Sequence, residues 1–426
     1  MIFSMRSAVL AWAFATAVCG ADLRAVDGLR WYKGNTHAHT LWSDGDAAPE
    51  VVADWYKEHG YHFLCLSDHN VYLGGERWVP VAADQYLTPD RVKAIQQRFG
   101  EGWVSLDQKG DRLKMRLKTF EELQAHFDEP GKFLMVSAEE VTSKVVHVNA
   151  VNNRGFIKPA QAFGNKPLRL ILAENFDAIE AHGKENGVPI LAHLNHPNWD
   201  QGVTAEDIVS VGGERFFEIY NGHAGVRNWG DRSQHKQSTD RLWDIILAIR
   251  LSTSADRPLY GMGTDDSHDY YEQRIGLCNS GRGWVQVLAK DLSPGALIAA
   301  MQSGQFYASS GVTLERIADD GKSLSVGIHG EAGVTHTTHF IGTRKGFDAT
   351  ARPVLDPAGN PVPNVTQVYS EDIGEVLFET KDNPAVYAFT GDELYVRAKV
   401  VSDKPQPNPH AEGDLETAWT QPARPY

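Results

Sequence analysis

Residues 29–40, LRWYKGNTHAHT, combine an apolar, strand-like run with two histidines at its end. His37 and His39 are two positions apart, so on an extended strand their side chains share one face and can bind one ion. This spacing alone is a weak signal, because most such pairs have no metal-binding role. Similar stretches further along the chain support a metal-binding role for this segment.

Five further polar clusters, rich in His, Asp and Glu, each follow an apolar run. They are Ser67-Asp68-His69, Ala138-Glu139-Glu140, His193-Leu194-Asn195-His196-Pro197, Glu218-Ile219-Tyr220-Asn221 and Asp265-Asp266-Ser267-His268. Histidine and carboxylate ligands without thiolate suit Zn, Mn or Fe. Six clusters at the ends of successive predicted strands therefore predict a metal site at one end of a β/α barrel, where open positions on the ion make a nucleophile from water.

About seven strand-then-helix repeats are predicted over residues 29–310. In the first repeat, residues 49–59 (PEVVADWYKEH) have apolar side chains at helical spacing and a proline in the first turn, and a strand at 61–66 follows. Residues 71–117 interrupt the rhythm, and we interpret them as an excursion able to cover the site. The repeats predict a parallel, barrel-like α/β fold with its active site at the carboxyl ends of the strands.

The pattern changes after Gly311. Residues 312–402 alternate apolar and polar side chains between turn signals and so predict a small all-β domain. The Pro-rich tail, 403–426, is predicted to be irregular. The barrel domain accordingly covers residues 29–311.

The first 21 residues are predicted to be a cleaved secretory signal. Arg6 supplies a basic start, the apolar stretch 7–18 is too short to span a bilayer, and small residues follow it. The alternatives are a buried N-terminal helix and a lipoprotein signal that ends at Cys19. The signal predicts a secreted or periplasmic protein, and no other segment is apolar enough to serve as a transmembrane anchor.

The chain has 426 residues, is 42% hydrophobic and carries a net charge of -14. This length fits one large α/β domain plus a small one, and the acidic excess argues against a nucleic-acid partner. An anionic small-molecule substrate is still compatible with the charge, because metal ions supply local positive charge. Four basic residues are further candidates for holding such a substrate: Lys144, Arg154, Arg227 and Arg274. A disulfide between Cys65 and Cys278 is possible, although their spacing does not require one.

The clusters together resemble the PHP (polymerase and histidinol phosphatase) superfamily, and within it the secreted metallohydrolases of the CehA/McbA type. The motifs that carry the resemblance are Gly34–Thr40, Ser43-Asp44-Gly45, Leu66–Asn70, Glu139–Thr142, His147–Ala150, His193–Pro197 and Gly263–His268. They span residues 34–268. The resemblance implies a distorted (β/α)7 barrel with two or three divalent metal ions, which would be Zn, Mn or Fe.

The resemblance also assigns ligands to these ions. The implied groups are His37, His39, Glu140 and Asp266 for one ion, Glu140, His147 and His196 for a second, and Asp44, His69 and His268 for a third. Many family members have histidine where this chain has Asp44, so the third group departs from the family pattern. Glu139 is the alternative to Glu140 as the bridging carboxylate, and the Val-Thr pair that follows Glu140 favours the latter.

Other polar residues of the clusters are expected to support the ligands. Four of them are interpreted as hydrogen-bond partners that orient ligands: Asn195, Asn221, Asp68 and Asp265. His193 is an extra histidine whose role the motif does not define, and His193 and Asn221 are the candidates for catalytic support. His223 and His235 follow a strand end and are candidate pocket residues.

The sequence therefore predicts a metal-dependent hydrolase in which metal-bound hydroxide attacks an electrophilic substrate. Phosphoester hydrolysis is the leading reaction, because multinuclear sites clamp phosphoryl oxygens and the resemblance points the same way. Hydrolysis of a carbamate, ester or amide at the same site is the alternative. A non-catalytic secreted binding protein is a third hypothesis, and the nearly complete ligand set argues against it.

Overall fold

The computed structural model describes residues 28–200, 202–213, 215–253 and 258–425. Within these ranges the chain forms a mixed α/β fold of nineteen strands and seven helices. None of the helices in these ranges is long and apolar enough to cross a membrane. The predicted signal segment, residues 1–21, lies outside the described residues.

Strands and helices alternate through the first three quarters of the chain. In order they are β1 (Arg30–Asn35), α1 (Pro49–Glu58), β2 (Phe63–Leu66), β3 (Trp78–Val81), α2 (Pro89–Phe99), β4 (Leu106–Lys109), β5 (Arg112–Arg116), α3 (Phe120–Phe127), β6 (Leu134–Ser143), β7 (Val146–Val151), α4 (Leu168–Asn186), β8 (Leu191–Leu194), α5 (Ala205–Val209), β9 (Phe216–Asn221), α6 (Thr239–Thr253), β10 (Tyr260–Thr264), β11 (Trp284–Ala289), α7 (Pro294–Gln302) and β12 (Phe306–Ser309). The remaining elements are all strands: β13 (Leu314–Asp319), β14 (Ser323–Ile328), β15 (His336–Arg344), β16 (Glu375–Thr380), β17 (Ala385–Ala388), β18 (Glu393–Pro405) and β19 (Leu415–Thr420).

Local sequence signals define the helix ends. Pro49 occupies the first turn of α1, where its missing N–H costs no hydrogen bond. Thr119 and Glu122 form a capping box at the start of α3. Gly187 ends α4 in the left-handed conformation. These helices pack outside the sheet, with α1 and α3 in one apolar core and α4, α5 and α6 in another.

Thirteen strands form one sheet, in the order β10-β9-β8-β7-β6-β2-β1-β11-β12-β19-β18-β15-β16. Strands β1, β2 and β6 are parallel, as are β8, β9 and β10. Strand β7 is antiparallel to both of its neighbours, so the predicted parallel arrangement does not extend to this strand. The reason is local: a two-residue turn at 144–145 joins β6 to β7 as a hairpin, and Lys144 adopts the positive φ of 59° that such turns need.

The series of seven strands from β10 to β1 in this sheet is joined at its two outer strands. Backbone hydrogen bonds connect the segments that follow β1 and β10. Asp266 N donates to His37 O at 3.0 Å, and His39 N donates to Ser267 O at 2.9 Å. Ala38 and Ser267 form a parallel bridge between the same two segments, which continue β1 and β10. The carboxyl ends of the first and last strands therefore lie side by side, where the polar clusters are.

The C-terminal strands continue the main sheet beyond β11 and β12, and β13, β14 and β17 form a separate three-stranded sheet. Residues 415–420, in the tail that the sequence predicted to be irregular, form β19 between β12 and β18. Prolines at 405, 407 and 409 precede this strand, and because proline is rare inside strands the whole tail was predicted to be irregular. One of its partners, β12, comes from a distant part of the chain, whereas the other, β18, directly precedes it.

The excursion at 71–117 folds as a small sheet, β3-β5-β4, together with α2. Its apolar residues Val92 and Met115 belong to the same core as α1 and α3. The Arg91 guanidinium lies 3.5 Å from the ring centroid of Tyr271. The excursion is thus anchored beside the loop that follows the last polar cluster.

Candidate metal centre

All nine predicted metal ligands lie in one cluster. They follow β1, β2, β8 and β10 or lie on the β6–β7 hairpin. Four overlapping groups, in each of which the ligand atoms lie within 4.8 Å of one another, contain all nine: His37, His39 and Asp266; His37, Glu140 and His196; His69, Glu140 and His147; and His39, Asp44, His69 and His268. Because several members belong to two groups, the cluster can hold neighbouring ions through shared ligands.

The two histidines after β1 converge with Asp266. Nε2 of His37 lies 3.1 Å from Nε2 of His39, and Asp266 Oδ1 lies 3.1 and 3.2 Å from these two atoms. All three residues are buried. Two imidazole nitrogens hydrogen-bond to each other only if one is protonated, whereas a shared cation accepts both lone pairs. The geometry of this group therefore fits a divalent ion.

Glu140 lies between the groups. Its Oε1 is 3.0 Å from Nδ1 of His147 and 3.4 Å from Nε2 of His196. Its Oε2 is 2.7 Å from Nδ1 of His69, yet this buried oxygen makes no hydrogen bond of acceptable geometry. A buried carboxylate with imidazole nitrogens around both oxygens fits a ligand that bridges two ions.

Glu139, the alternative bridge, lies on the other face of β6, because successive strand residues face opposite sides. Its Oε2 accepts a hydrogen bond from Ile157 N at 2.9 Å and another from Asn153 Nδ2 at 3.4 Å. Burial raises the pKa of Glu139 to about 8, against the opposing effect of these two hydrogen bonds. The structure thus brings Glu140, and not Glu139, to the histidines.

Asp44 faces three imidazoles at the outer edge of the cluster. Its Oδ1 lies 3.4 Å from Nδ1 of His39 and 3.5 Å from Nε2 of His268, and its Oδ2 lies 3.6 Å from Nε2 of His69. The rings of His39 and His268 stack with centroids 4.1 Å apart. The Asp44 side chain is 54% exposed, so this group is the part of the cluster that opens to solvent.

A second buried carboxylate, Glu218, contacts His37 through Nδ1, the ring nitrogen that does not face His39 and Asp266. Its Oε1 lies 2.7 Å from Nδ1 of His37, and its Oε2 accepts hydrogen bonds from His196 N and Asn221 Nδ2, both at 2.7 Å. A carboxylate on Nδ1 fixes the tautomer that leaves Nε2 free for metal. Sequence reasoning placed Glu218 in a polar cluster and gave it no role, because its contact with His37 spans 181 positions.

Of the four residues interpreted as orienting partners, Asn195 and Asn221 hydrogen-bond to predicted ligands, whereas Asp68 and Asp265 hydrogen-bond to neighbouring loops. Asn195 Nδ2 donates to Glu140 Oε1 at 2.7 Å. Asp68 accepts hydrogen bonds from the backbone N and the hydroxyl of Thr40, which holds the loop after His39. Asp265 accepts hydrogen bonds from three consecutive backbone amides that precede β11. Asn221 adds a hydrogen bond from Nδ2 to Asp266 Oδ2, at 3.0 Å.

His193 is fully buried, and neither of its ring nitrogens has a hydrogen-bond partner among the described residues. Its Nδ1 lies 3.9 Å from Glu218 Oε1, and its ring lies behind that of His37 with centroids 6.4 Å apart. Removal from water lowers the pKa of His193 to about 4, although Glu218 opposes the shift. The ring is therefore neutral and packs behind the ligand cluster.

The two candidate pocket histidines differ in position. The His223 ring lies 5.3 Å from that of His268, and His223, His268 and Cys278 form a further group of possible ligand atoms. His235 is exposed and is in none of these groups. Cys278 and Cys65 are free thiols, so the disulfide considered from the sequence does not form.

The four basic residues considered for anion binding are all exposed. Arg227 and Arg274 form ion pairs with neighbouring carboxylates, at 3.6 and 2.8 Å. Lys144 borders the cluster, since its carbonyl oxygen lies 3.1 Å from Nε2 of His147. None of the four side chains is buried among the ligands of the cluster.

The electrostatics of the cluster favour a cation. Burial alone would lower the pKa of His37, but the carboxylates of Asp266, Glu218 and Glu140 raise it well above its ordinary value. Burial alone would raise the pKa of Glu140, but His69, His37 and other imidazoles hold it well below its usual range. Ionised carboxylates among imidazoles, most of them removed from water, are a donor set that fits Zn, Mn or Fe.

No protein-family model matches the chain, and no curated protein matches it. Among solved structures, the chain is similar to a two-domain protein from Bacteroides vulgatus ATCC 8482 that contains a predicted PHP-like metal-dependent phosphoesterase. The identity is 14%, the match covers 93% of this chain and 97% of that one, and the TM-score is 0.41. A candidate metal-dependent phosphoesterase from Bifidobacterium adolescentis ATCC 15703 is also similar, at 14% identity, with 55% of this chain and 87% of that one covered and a TM-score of 0.28. Both scores are too low to assign a fold or an activity by themselves.

Proposed function

We propose that the chain is a metal-dependent hydrolase of the PHP type that cleaves phosphoesters of a small anionic substrate at a site for two or three divalent ions. One observation carries the proposal: the nine predicted ligands form four overlapping groups, two of which share Glu140. A cluster of this kind has more ligand atoms than one ion can use. Two-metal sites stabilise both the attacking and the leaving oxygen of phosphoryl transfer.

The finer architecture belongs to the same proposal. Strands β1, β2 and β6 to β10 would form the distorted (β/α)7 barrel within residues 29–311, and residues 312–402 would be the core of an accessory β domain. The polar clusters lie at the carboxyl ends of the parallel strands, where barrels of this type carry their sites. A cleaved signal at residues 1–21 would direct the protein to the periplasm or the medium.

Divalent ions in this cluster would lower the pKa of water and neutralise charge on phosphoryl oxygens. The protein's own contribution is positional. Glu218 keeps Nε2 of His37 available, and Asn195 and Asn221 orient the carboxylates of Glu140 and Asp266. The exposed edge at Asp44 is where a substrate can enter.

The scarcity of basic side chains beside the ligands favours a second candidate, hydrolysis of a neutral carbamate, ester or amide. Among the four basic residues considered above, Lys144 is the one that borders the cluster. A neutral carbonyl substrate needs no cationic side chain, and one ion suffices to polarise its oxygen.

A metal-reconstituted activity screen separates the two reactions. The purified protein, loaded in turn with Mn, Zn or Fe, is assayed on aryl phosphomonoesters, phosphodiesters, carbamates and carboxylic esters. We expect phosphoester turnover that rises with added metal and that Glu140→Gln reduces far more than any esterase activity. Turnover of carbamates or esters, with no phosphoester cleaved under any metal, would establish the second candidate instead.

A further inference from the structure

A second cleft, of about 280 Å³, lies away from the metal centre. Residues of β1, α1 and β11 form one wall, and residues around 406–408 and Glu416 form the other. None of the nine predicted metal ligands lines it. The cleft therefore combines the barrel half of the chain with the C-terminal strands and is separate from the site described above.

The cleft contains a lysine without an anionic partner. The Lys33 ammonium lies 3.9 Å from the ring centroid of Tyr61 and 4.1 Å from that of Trp284. No carboxylate among the described residues lies within ion-pair distance of it. Glu416, the acidic residue of the lining, pairs instead with Lys404 at 3.2 Å. Burial lowers the pKa of Lys33 to about 8, with Asp265 opposing, so the ammonium is still largely protonated at neutral pH.

Two hydroxyl groups in the same lining also lack partners. Tyr61 Oη and Ser280 Oγ are buried, and neither makes a hydrogen bond within the part of the chain that the structure describes. Buried polar groups in folded proteins are nearly always satisfied, so unpaired hydroxyls beside an unpaired cation point to a ligand. Both hydroxyls can donate to an anion.

The wall on the side of α1 and β11 is flat and aromatic. The Trp55 ring stacks on His59, with centroids 3.9 Å apart and an interplanar angle of 11°, and Tyr61 and Trp284 add two more ring faces. We propose that this cleft binds a small carboxylate carried on a flat apolar body, with Lys33 as its ion-pair partner and Tyr61 and Ser280 as hydrogen-bond donors. A single cation suits a monoanion better than a phosphate dianion.

Covalent labelling of the unmodified protein tests the position of the site. The probe is benzaldehyde, whose aldehyde carbon condenses with a lysine amine, with loss of water, to an imine that cyanoborohydride reduces to a secondary amine. Peptide mapping should find Lys33 labelled before exposed lysines such as Lys132, and benzoate should slow Lys33 labelling at least about tenfold. Labelling of Lys33 no faster than Lys132, or no protection by benzoate, would overturn the proposal.

Calorimetric titration with benzoate tests the partners. Lys33→Met should weaken binding at least about tenfold, and Tyr61→Phe severalfold. Lys57→Met is the matched control, because Lys57 also lies over an aromatic ring but pairs with Glu129 at 3.6 Å and does not line the cleft. It should bind benzoate as the wild type does.

The variant Glu140→Gln separates the cleft from the metal centre. It should bind benzoate with wild-type affinity, because Glu140 does not line the cleft. Loss of binding in Glu140→Gln, with Lys33→Met unaffected, would place the anion on the metal ions and contradict the proposal. If Lys33→Met does not fold, the labelling of the wild-type protein still decides the question.

Discussion

Glu139 and Glu140 are neighbours on β6 but lie in opposite environments. The two side chains are chemically identical, both are buried, and they face opposite sides of β6. Glu140 meets imidazoles, which hold its pKa well below the usual range, whereas burial raises the pKa of Glu139 to about 8. Glu140 is therefore an ionised carboxylate, as the proposed bridging ligand has to be, and Glu139 is a neutral acid at pH 7.

This difference predicts the metal content of two matched variants. Glu140→Gln removes a charged donor shared by two groups of ligands, so metal affinity should fall at least about tenfold. Glu139→Gln replaces an acid that is already neutral and should retain wild-type metal content. Elemental analysis after dialysis against a weak chelator measures both. Equal metal loss in the two variants would contradict the assignment of Glu140 as the bridge.

The sequence predicted the site at residue scale because its ligands occur in short motifs at strand ends. All nine predicted ligands come together, and Asn195 and Asn221 hydrogen-bond to two of them, whereas Asp68 and Asp265 contact loops and not the ligands. The role of Glu218 was not predicted, because its contact with His37 joins strands that are distant in the sequence. The role of His193 was not predicted for the same reason, since its burial beside His37 depends on the closed arrangement of strands.

At the scale of elements, prediction failed where pairing partners decide the structure. The 3.6-residue spacing of apolar side chains and the residues at the helix starts were enough to predict α1 and α3 from the sequence. Strand β7 was expected to be part of a parallel sheet, but a two-residue turn allows only an antiparallel return. Strand β19 had no periodic signal strong enough to outweigh the surrounding prolines, and pairing on both sides stabilises it.

One ion pair between elements yields a prediction about stability. Arg397 on β18 is fully buried and contacts Asp244 on α6 through two nitrogens, at 2.8 and 2.6 Å, and Asp240 at 3.1 Å. Arg397→Met would leave the Asp244 charge buried without its partner, so the free energy of unfolding should fall by about 3–5 kcal/mol. Urea denaturation measures this change.

The exposed Arg98 is the control for that experiment. It contacts Asp54 and Glu58, each at 2.8 Å, at a solvent-exposed position. Arg98→Met should change the free energy of unfolding by at most about 1 kcal/mol. A similar loss in both variants would mean that the α6–β18 contact has no special role in holding the C-terminal strands to the rest of the fold.

At the scale of the whole molecule, the sheet joins the two halves that the sequence separated at Gly311. Strand β12, which ends the first half, pairs with β19, and β19 pairs with β18. Trp419 on β19 is buried and stacks on Tyr220 of β9, with centroids 5.8 Å apart. The C-terminal strands therefore cover apolar side chains of the half that carries the metal centre, and the two halves share one hydrophobic core.

This continuity predicts that the chain folds as one unit. Ending the chain after Pro405 removes β19 with Trp419, leaves facing edges of β12 and β18 unpaired and uncovers Tyr220, so the shortened protein should be aggregated or unfolded. Size-exclusion chromatography and metal analysis measure the outcome. A control that lacks only residues 424–426 should remain folded and metal-loaded, because β19 and its pairing are intact. A shortened protein that is monomeric, binds metal and melts at the wild-type temperature would show instead that the metal-binding half is stable without its C-terminal cover.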